Sequence, residues 1–319
     1  MVSLYLVQSL TKAYTKNMKM ILTGTGTSHG VPVIGCKCAV CTSKNPKNKR
    51  FRCSAYITSG RTNIVIDTGP EFRLQALKYN ITKLDAVLIT HSHADHLNGL
   101  DDVRIFSHTK AIDPSNPIKA KQETCGTGLP IYTNAVSIKD IKNRFDYVFM
   151  PVKEGGGKPK INLIDCSEFN LQNPIRINDI EVIPVPLLHG SLNDTGWLLT
   201  CTHKDSTRHS IAYLTDTNFV PEESINLIKN SNSTLEHLVI DGLRKEKHST
   251  HFSFREALGI AEILKPKNTY LTHITHNMSH KEIEKYVLKL VKSDFPELEK
   301  IHNDGGIISP AYDGLILKA

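Results

Sequence analysis

Aspartate and glutamate are missing from the first 66 residues of this 319-residue chain; the first acid is Asp67. The same stretch holds ten Lys and Arg, so the formal net charge of +7 comes from the N-terminal fifth, and the remaining 253 residues carry 29 basic against 32 acidic groups. A uniformly basic nucleic-acid coat is therefore excluded. No apolar run approaches the ~18–20 residues that a membrane helix needs, so no membrane partner is expected. Tryptophan occurs once and aromatics make up 7% of the chain, yet 39% is hydrophobic and only 22% charged. That composition buries a sizeable core and excludes disordered, collagen-like and small disulfide-rich classes.

Cysteine is sparse and uneven. There are seven, an odd number, and three are crowded into Cys36-Lys37-Cys38-Ala39-Val40-Cys41. Thiols this close in sequence are poorly placed to bridge one another. The cluster therefore points to metal binding in a reducing compartment rather than to a secreted disulfide framework. Cys53, Cys125, Cys166 and Cys201 stand apart and read as small buried apolar residues. The expected location is the cytoplasm. Residues 1–18 carry Lys12 and Lys16 but no acid and no arginine. They read as a flexible extension, with a mitochondrial import segment as the second reading. Residues 19–319 show no internal repeat and no linker, and read as a single domain.

Short runs rich in β-branched residues and leucine predict strands over 19–23, 63–67, 85–90, 180–185, 196–201, 210–215, 236–241 and 268–272. Helical spacing predicts helices over 71–79, 222–229, 252–264 and 280–292. The stretch 107–165, with Asp113-Pro114, Asn116-Pro117 and Glu154-Gly155-Gly156-Gly157, reads as loops and short elements, with 153–160 as a mobile tip. The strands before Asp67, His91, Asp216, Asp241 and His273 share one form. Each ends in a residue able to bind a metal or move a proton, which is how an active site forms along one edge of a sheet.

The strongest signal is Thr90-His91-Ser92-His93-Ala94-Asp95-His96, four ligand-type side chains just after a strand. His91 and His93, two apart, project the same way from an extended segment and share one cation. Asp95 and His96 begin a turn or helix and serve a second. His189, Asp216 and His273 follow in chain order, each at a strand end, and supply the missing ligands. Imidazole and carboxylate donors suit zinc, manganese or iron. The cysteine cluster needs a fourth ligand for a tetrahedral zinc, and His29, Cys53, His276 and His280 are the candidates.

This pattern resembles the metallo-β-lactamase superfamily, whose fold is a four-layer αββα sandwich within the α/β class. Carried over by resemblance, His91, His93 and His189 bind a first divalent metal. Asp95, His96 and His273 bind a second, Asp216 bridges the two, and Asp67 orients the ligands. Gly24-Thr25-Gly26-Thr27-Ser28-His29-Gly30, the cysteine cluster, Asp241-Gly242-Leu243-Arg244 with His248-Ser249-Thr250-His251, and Ala311-Tyr312-Asp313-Gly314 are similar to PhnP-type cyclic phosphodiesterases. That narrower resemblance selects His276 as the fourth structural-zinc ligand beside Cys36, Cys38 and Cys41. It implies zinc or manganese at the catalytic pair, His248 as general acid with His251 as its rival, and Ser28, His29, Asp102, Arg104 and His251 as substrate contacts. The acid-free run Lys44, Lys47, Lys49, Arg50 and Arg52 reads as a solvated face that also attracts phosphate.

The activity so implied is dinuclear-metal hydrolysis of a small phosphorylated substrate, a ribose 1,2-cyclic or nucleoside 2′,3′-cyclic phosphate. A tRNase Z-like endonuclease and a thioester or lactone hydrolase on the same fold are the alternatives. Nucleic acid is the less expected partner, because the tRNA-gripping arm of that group is hinted at only by 154–160. The family further suggests a homodimer.

Overall fold

The computed structural model describes residues 17–109, 128–150 and 158–319. The expectations for residues 1–18 and for a mobile tip at 153–160 fall largely outside them, as does Cys125. Met18 is already buried in the core, and its carbonyl accepts from Ala319 N at 2.9 Å.

Two seven-stranded sheets face each other. The first has the order β14-β1-β2-β3-β4-β5-β6, built from Lys19–Gly24 (β1), Ser54–Ser59 (β2), Thr62–Ile66 (β3), Ala86–Leu88 (β4), Leu129–Thr133 (β5), Ile161–Asp165 (β6) and Ile316–Lys318 (β14). The second has the order β13-β12-β11-β10-β9-β8-β7. It is built from Ile175–Ile177 (β7), Ile180–His189 (β8), Leu192–Thr202 (β9), Arg208–Leu214 (β10), Thr234–Asp241 (β11), Asn268–Thr272 (β12) and Ile307–Pro310 (β13).

Side-chain alternation along these strands sorts residues into layers. Ile57, Ile64, Ile66 and Leu88 of the first sheet meet Val182, Trp197, Leu199, Ile211, Tyr213 and Val239 of the second, forming the core between the sheets. Tyr56, Val65 and Val87 point the other way, under Phe72, Leu97, Leu100 and Phe106. Ile183, Leu198, Ala212, Leu238 and Leu271 lie on the outer face of the second sheet, covered by the helices Phe254–Leu264 (through Leu258 and Ala261) and His280–Asp294 (through Ile283 and Val287). The result is helix, sheet, sheet, helix: the αββα sandwich expected from the sequence.

Each of the two long helices begins with a capping box, Ser253 with Glu256 and Ser279 with Glu282, in which side chain and backbone satisfy each other's free groups. The stretch 107–165 is more ordered than the expectation of loops and short elements. Strands β5 and β6 extend the first sheet in parallel, and a ten-residue helix, Ala135–Arg144, follows β5. Its polar face conceals it in the sequence, since only Ser137 and Ile141 are buried.

Topology gathers the site at one end. Strands β3 and β4 are parallel, as are β10, β11 and β12, so all five point their C-terminal ends the same way within their sheets. Asp67, His91, Asp216, Asp241 and His273 lie at or just beyond those ends. Strand β8 ends on His189, and the turn through Gly190 (φ 63°) leads back into β9.

Candidate metal centre and active site

Four groups of ligand-type side chains converge among the described residues, each with donor atoms within 4.8 Å of one another. The first is His91, His93, His189 and Asp216, and the second is Asp95, His96, Asp216 and His273. Asp216 belongs to both. Its Oδ2 lies 3.8 Å from His91 Nε2 and 3.2 Å from His96 Nε2, and its Oδ1 lies 2.9 Å from His273 Nε2. Asp95 Oδ2 lies 3.2 Å from His96 Nε2 and 3.9 Å from His273 Nε2. All seven residues expected as ligands are thus brought together.

The donor chemistry fits cations. His91 Nε2, His96 Nε2 and both ring nitrogens of His273 are buried without a hydrogen-bonding partner. Buried polar atoms are rarely left unpaired, and a metal satisfies them. Burial would raise the Asp216 carboxyl, but His273 and His96 hold it well below the usual carboxylate range. It is therefore anionic, as a ligand must be. Burial, and then His96, push the His91 imidazole well below its ordinary value, so this ring is neutral.

The far sides of the rings are fixed. Asp67 Oδ2 lies 2.7 Å from His96 Nδ1, and its carboxylate also accepts from Thr90 N at 2.9 Å and Thr90 Oγ1 at 3.0 Å. His189 Nδ1 donates to the Thr250 carbonyl at 2.8 Å. Such contacts set ring orientation and direct Nε2 inward. Asp194 lies behind His91, with Oδ1 3.5 Å from Nδ1. Sequence reasoning missed it, because nothing in Asn193-Asp194-Thr195 signals that the β8–β9 register buries Asp194 opposite Leu187. Asp67, Asp216 and His273 adopt φ values of 59°, 50° and 57°. This left-handed conformation costs a residue with a Cβ roughly 1–3 kcal/mol and is concentrated at functional sites.

His248 and His251 are placed differently. His251 Nδ1 donates to the buried Asp241 Oδ2 at 2.8 Å, and the ring stacks against His273 with centroids 4.6 Å apart. It also lies 4.7 Å from the His189 ring. His248 is exposed, and its Nδ1 faces Thr250 at 3.2–3.3 Å.

Away from the centre, Cys36, Cys38 and Cys41 each place Sγ 3.4 Å from His276 Nδ1. The Cys41 N–H and then His276 hold the Cys38 thiol down at about 6, favouring the thiolate that binds zinc. Two of the other candidates for that group are engaged elsewhere, Cys53 with Thr272 and His280 with Arg50, and the third, His29, lines the basic cleft.

Ser28 and His29 lie on the loop whose residues 25–27 pair with Ile274, directly after His273. His29 lines a cleft of about 550 Å³ with Lys47, Lys49, Arg50 and Lys78, where much of the basic run collects. Asp102 and Arg104 do not join the centre. They line a separate cavity of about 840 Å³ with Phe72, Leu77 and Ile105, beside the helix Phe72–Lys78.

An αββα sandwich carrying two His/Asp donor groups on a shared carboxylate defines a metal-dependent hydrolase. The β-lactamase superfamily domain matches residues 62–274, and the chain belongs to that superfamily. A solved structure described as a new diphosphatase from the PhnP family is similar at 33% identity and a TM-score of 0.72, over 95% of this chain and 98% of that one. An octanoyltransferase of Porphyromonas gingivalis is 32% identical over 91% of this chain, and the match spans about half (53%) of that protein's length. A ribonuclease Z of Borreliella afzelii is 25% identical over 86% of this chain and 93% of the relative. Of these, the PhnP-family structure and the ribonuclease Z support a metallo-hydrolase of the phosphodiesterase type. Among the described residues no helix is long and apolar enough to cross a membrane.

Proposed function

We propose that the protein hydrolyses small cyclic phosphodiesters, a ribose 1,2-cyclic or nucleoside 2′,3′-cyclic phosphate, at a dinuclear centre of zinc or manganese. The observation that carries this reading is the sharing of Asp216 by two donor groups, with the Asp241–His251 pair at their rim. His91, His93, His189 and Asp216 hold one cation, and Asp95, His96, Asp216 and His273 the other. Two such cations supply an activated water and neutralise the phosphoryl oxygens. Asp67 and Thr90 keep the His96 and His91 rings turned inward.

The alkoxide that leaves a phosphodiester is a poor leaving group and needs a proton. His251 is the better placed donor: Asp241 holds its Nδ1, which leaves Nε2 free to face the substrate. This reading assigns the acid to His251 rather than to His248. Cys36, Cys38, Cys41 and His276 hold a structural zinc that pins the N-terminal loop to the segment after His273. The basic cleft beside His29 draws the substrate's negative charge toward the centre.

The match to half of an octanoyltransferase favours one second reading, a thioester hydrolase on the same scaffold. Metal analysis of the purified protein, followed by turnover of adenosine 2′,3′-cyclic phosphate, a tRNA precursor and an octanoyl thioester, tests all three. Cyclic-phosphate turnover at least about tenfold above the others in kcat/KM is expected. A preference for the tRNA precursor or the thioester overturns the proposal.

A further inference from the structure

His93 differs from the other two imidazoles of its donor group. His91 and His189 each have a partner behind the ring, Thr90 Oγ1 at 3.0 Å from one Nδ1 and the Thr250 carbonyl at 2.8 Å from the other. Among the described residues no hydrogen bond is made to either ring nitrogen of His93. Its ring leans edge-on against His91, with centroids 4.5 Å apart, and against His189 at 5.1 Å. The place of its donor atom therefore depends on where the backbone delivers the residue. That backbone is extended, with φ −62° and ψ 152° at His93.

The residue before it is held from outside. Alternation along an extended chain turns the Ser92 side chain away from the side that His91 and His93 share, and the helix Ala135–Arg144 meets it there. Asp140 Oδ2 accepts from Ser92 Oγ at 2.6 Å, and Arg144 Nη1 donates to the Ser92 carbonyl at 2.6 Å. A carboxylate takes part in one bond and a guanidinium in the other, which makes both stronger than neutral pairs. Asp140 and Arg144, four apart, share one face of the helix. The start of the helix is tied to the same segment. Its N-cap Asn134 accepts from Ser137 N at 2.9 Å and donates to Thr195 Oγ1 at 3.2 Å, and Thr195 N donates to the Thr90 carbonyl at 3.2 Å. The other donor group is held separately, since Thr68 N donates to the His96 carbonyl at 2.8 Å and Asp67 faces the His96 ring.

We propose that Asp140, seconded by Arg144, is a positioning residue for His93, and that the helix Ala135–Arg144 thereby sets the affinity of the cation held by His91, His93, His189 and Asp216. This rests on the ligand assignment above. Zinc titration of the full-length protein against a competing chelator reads the two catalytic cations. Asp140→Ala weakens one of them about 10- to 100-fold, the range for losing a partner behind a ligand, and leaves the other within about threefold. Ser92→Ala removes the same bond from the other side and has the same selective effect, which serves where Asp140→Ala does not fold. Asp140→Asn keeps an oxygen that accepts from Ser92 and stays within about threefold of wild type. Added to His93→Ala, Asp140→Ala weakens binding by less than about twofold more, because it acts through the ligand already lost. Equal weakening of both cations, or additive losses in the double variant, overturns the assignment.

A wild-type protein that binds no catalytic metal pair refutes the ligand assignment, and amide hydrogen exchange of the metal-free protein still reads the contact. The amides of 91–95 then exchange about tenfold faster in Asp140→Ala than in wild type, while those of 64–66 are unchanged. Unchanged exchange at 91–95 overturns the positioning role.

Discussion

The Asp241 carboxylate and the His251 ring meet at 2.8 Å, with the carboxylate fully buried and the ring stacked on the metal-ligand candidate His273. Burial raises the Asp241 carboxyl while His251 pulls the other way. The pair orients the ring, as a proton donor at a phosphoryl centre requires. His251→Ala is expected to lower kcat by roughly 10²–10³-fold with metal content intact, and Asp241→Asn by about tenfold. His248→Ala, at an exposed ring, should change kcat by less than about fivefold. Steady-state kinetics with metal analysis of each variant checks this; a larger loss at His248 would reverse the assignment.

Asp216 lies within reach of three different imidazoles, so its removal opens both donor groups at once. Asp216→Ala should leave the purified protein without its catalytic metal pair. Asp194→Asn is milder and selective. It weakens the cation held by His91 by about tenfold, as loss of a carboxylate behind a ligand does, and spares the cation held by His96 and His273. Metal titration against a competing chelator separates the two. Retention of two tightly bound catalytic metals in Asp216→Ala would sink the ligand set.

The cysteine group is independent of that chemistry. Its sulfurs surround His276 Nδ1 at a common 3.4 Å, and Val31, Val40 and Cys41 make only a small core of their own. With so little apolar burial, the loop depends on the metal for its order. Cys38→Ser should lower the zinc stoichiometry by one and Tm by at least about 5 °C. An unchanged zinc count would remove the structural metal.

Much of this site was legible because the strands that build it are short apolar runs stopping at a polar residue, as in Ala86–Leu88 before His91 and Asn268–Thr272 before His273. Alternation along β8 to β12 likewise predicts two buried faces, and hence layers. Three features were hidden, each for a physical reason. Asp194 acts through cross-strand register, which no local spacing encodes. Asp102 and Arg104 follow the metal motif closely in sequence, yet the short helical turn Leu100–Val103 and the helix Arg104–Thr109 carry them to another cavity. The left-handed backbone at Asp67, Asp216 and His273 is fixed by tertiary packing rather than by any local sequence signal. The choice between His248 and His251 turned on Asp241, which the sequence places at a strand end without saying which ring it meets.

His280 provides a test of the fold through pH. It is buried, its Nδ1 lies 3.4 Å from the buried Arg50 guanidinium, and its ring meets Tyr312 edge-on with centroids 5.7 Å apart. Burial first, then Arg50 and Lys47, hold it down at about 4, below its ordinary 6.5. The folded protein therefore binds fewer protons here than the unfolded chain does. This contribution is complete above pH 6.5 and is lost as pH falls toward 4, so stability declines in that window. The loss is on the order of 2 kcal/mol, allowing for partial hydration of the ring. His280→Gln cannot titrate, so its stability should fall less steeply between pH 6.5 and 4 than that of wild type. Urea unfolding across that range measures both slopes, and parallel slopes would show that His280 is not held neutral in the folded protein.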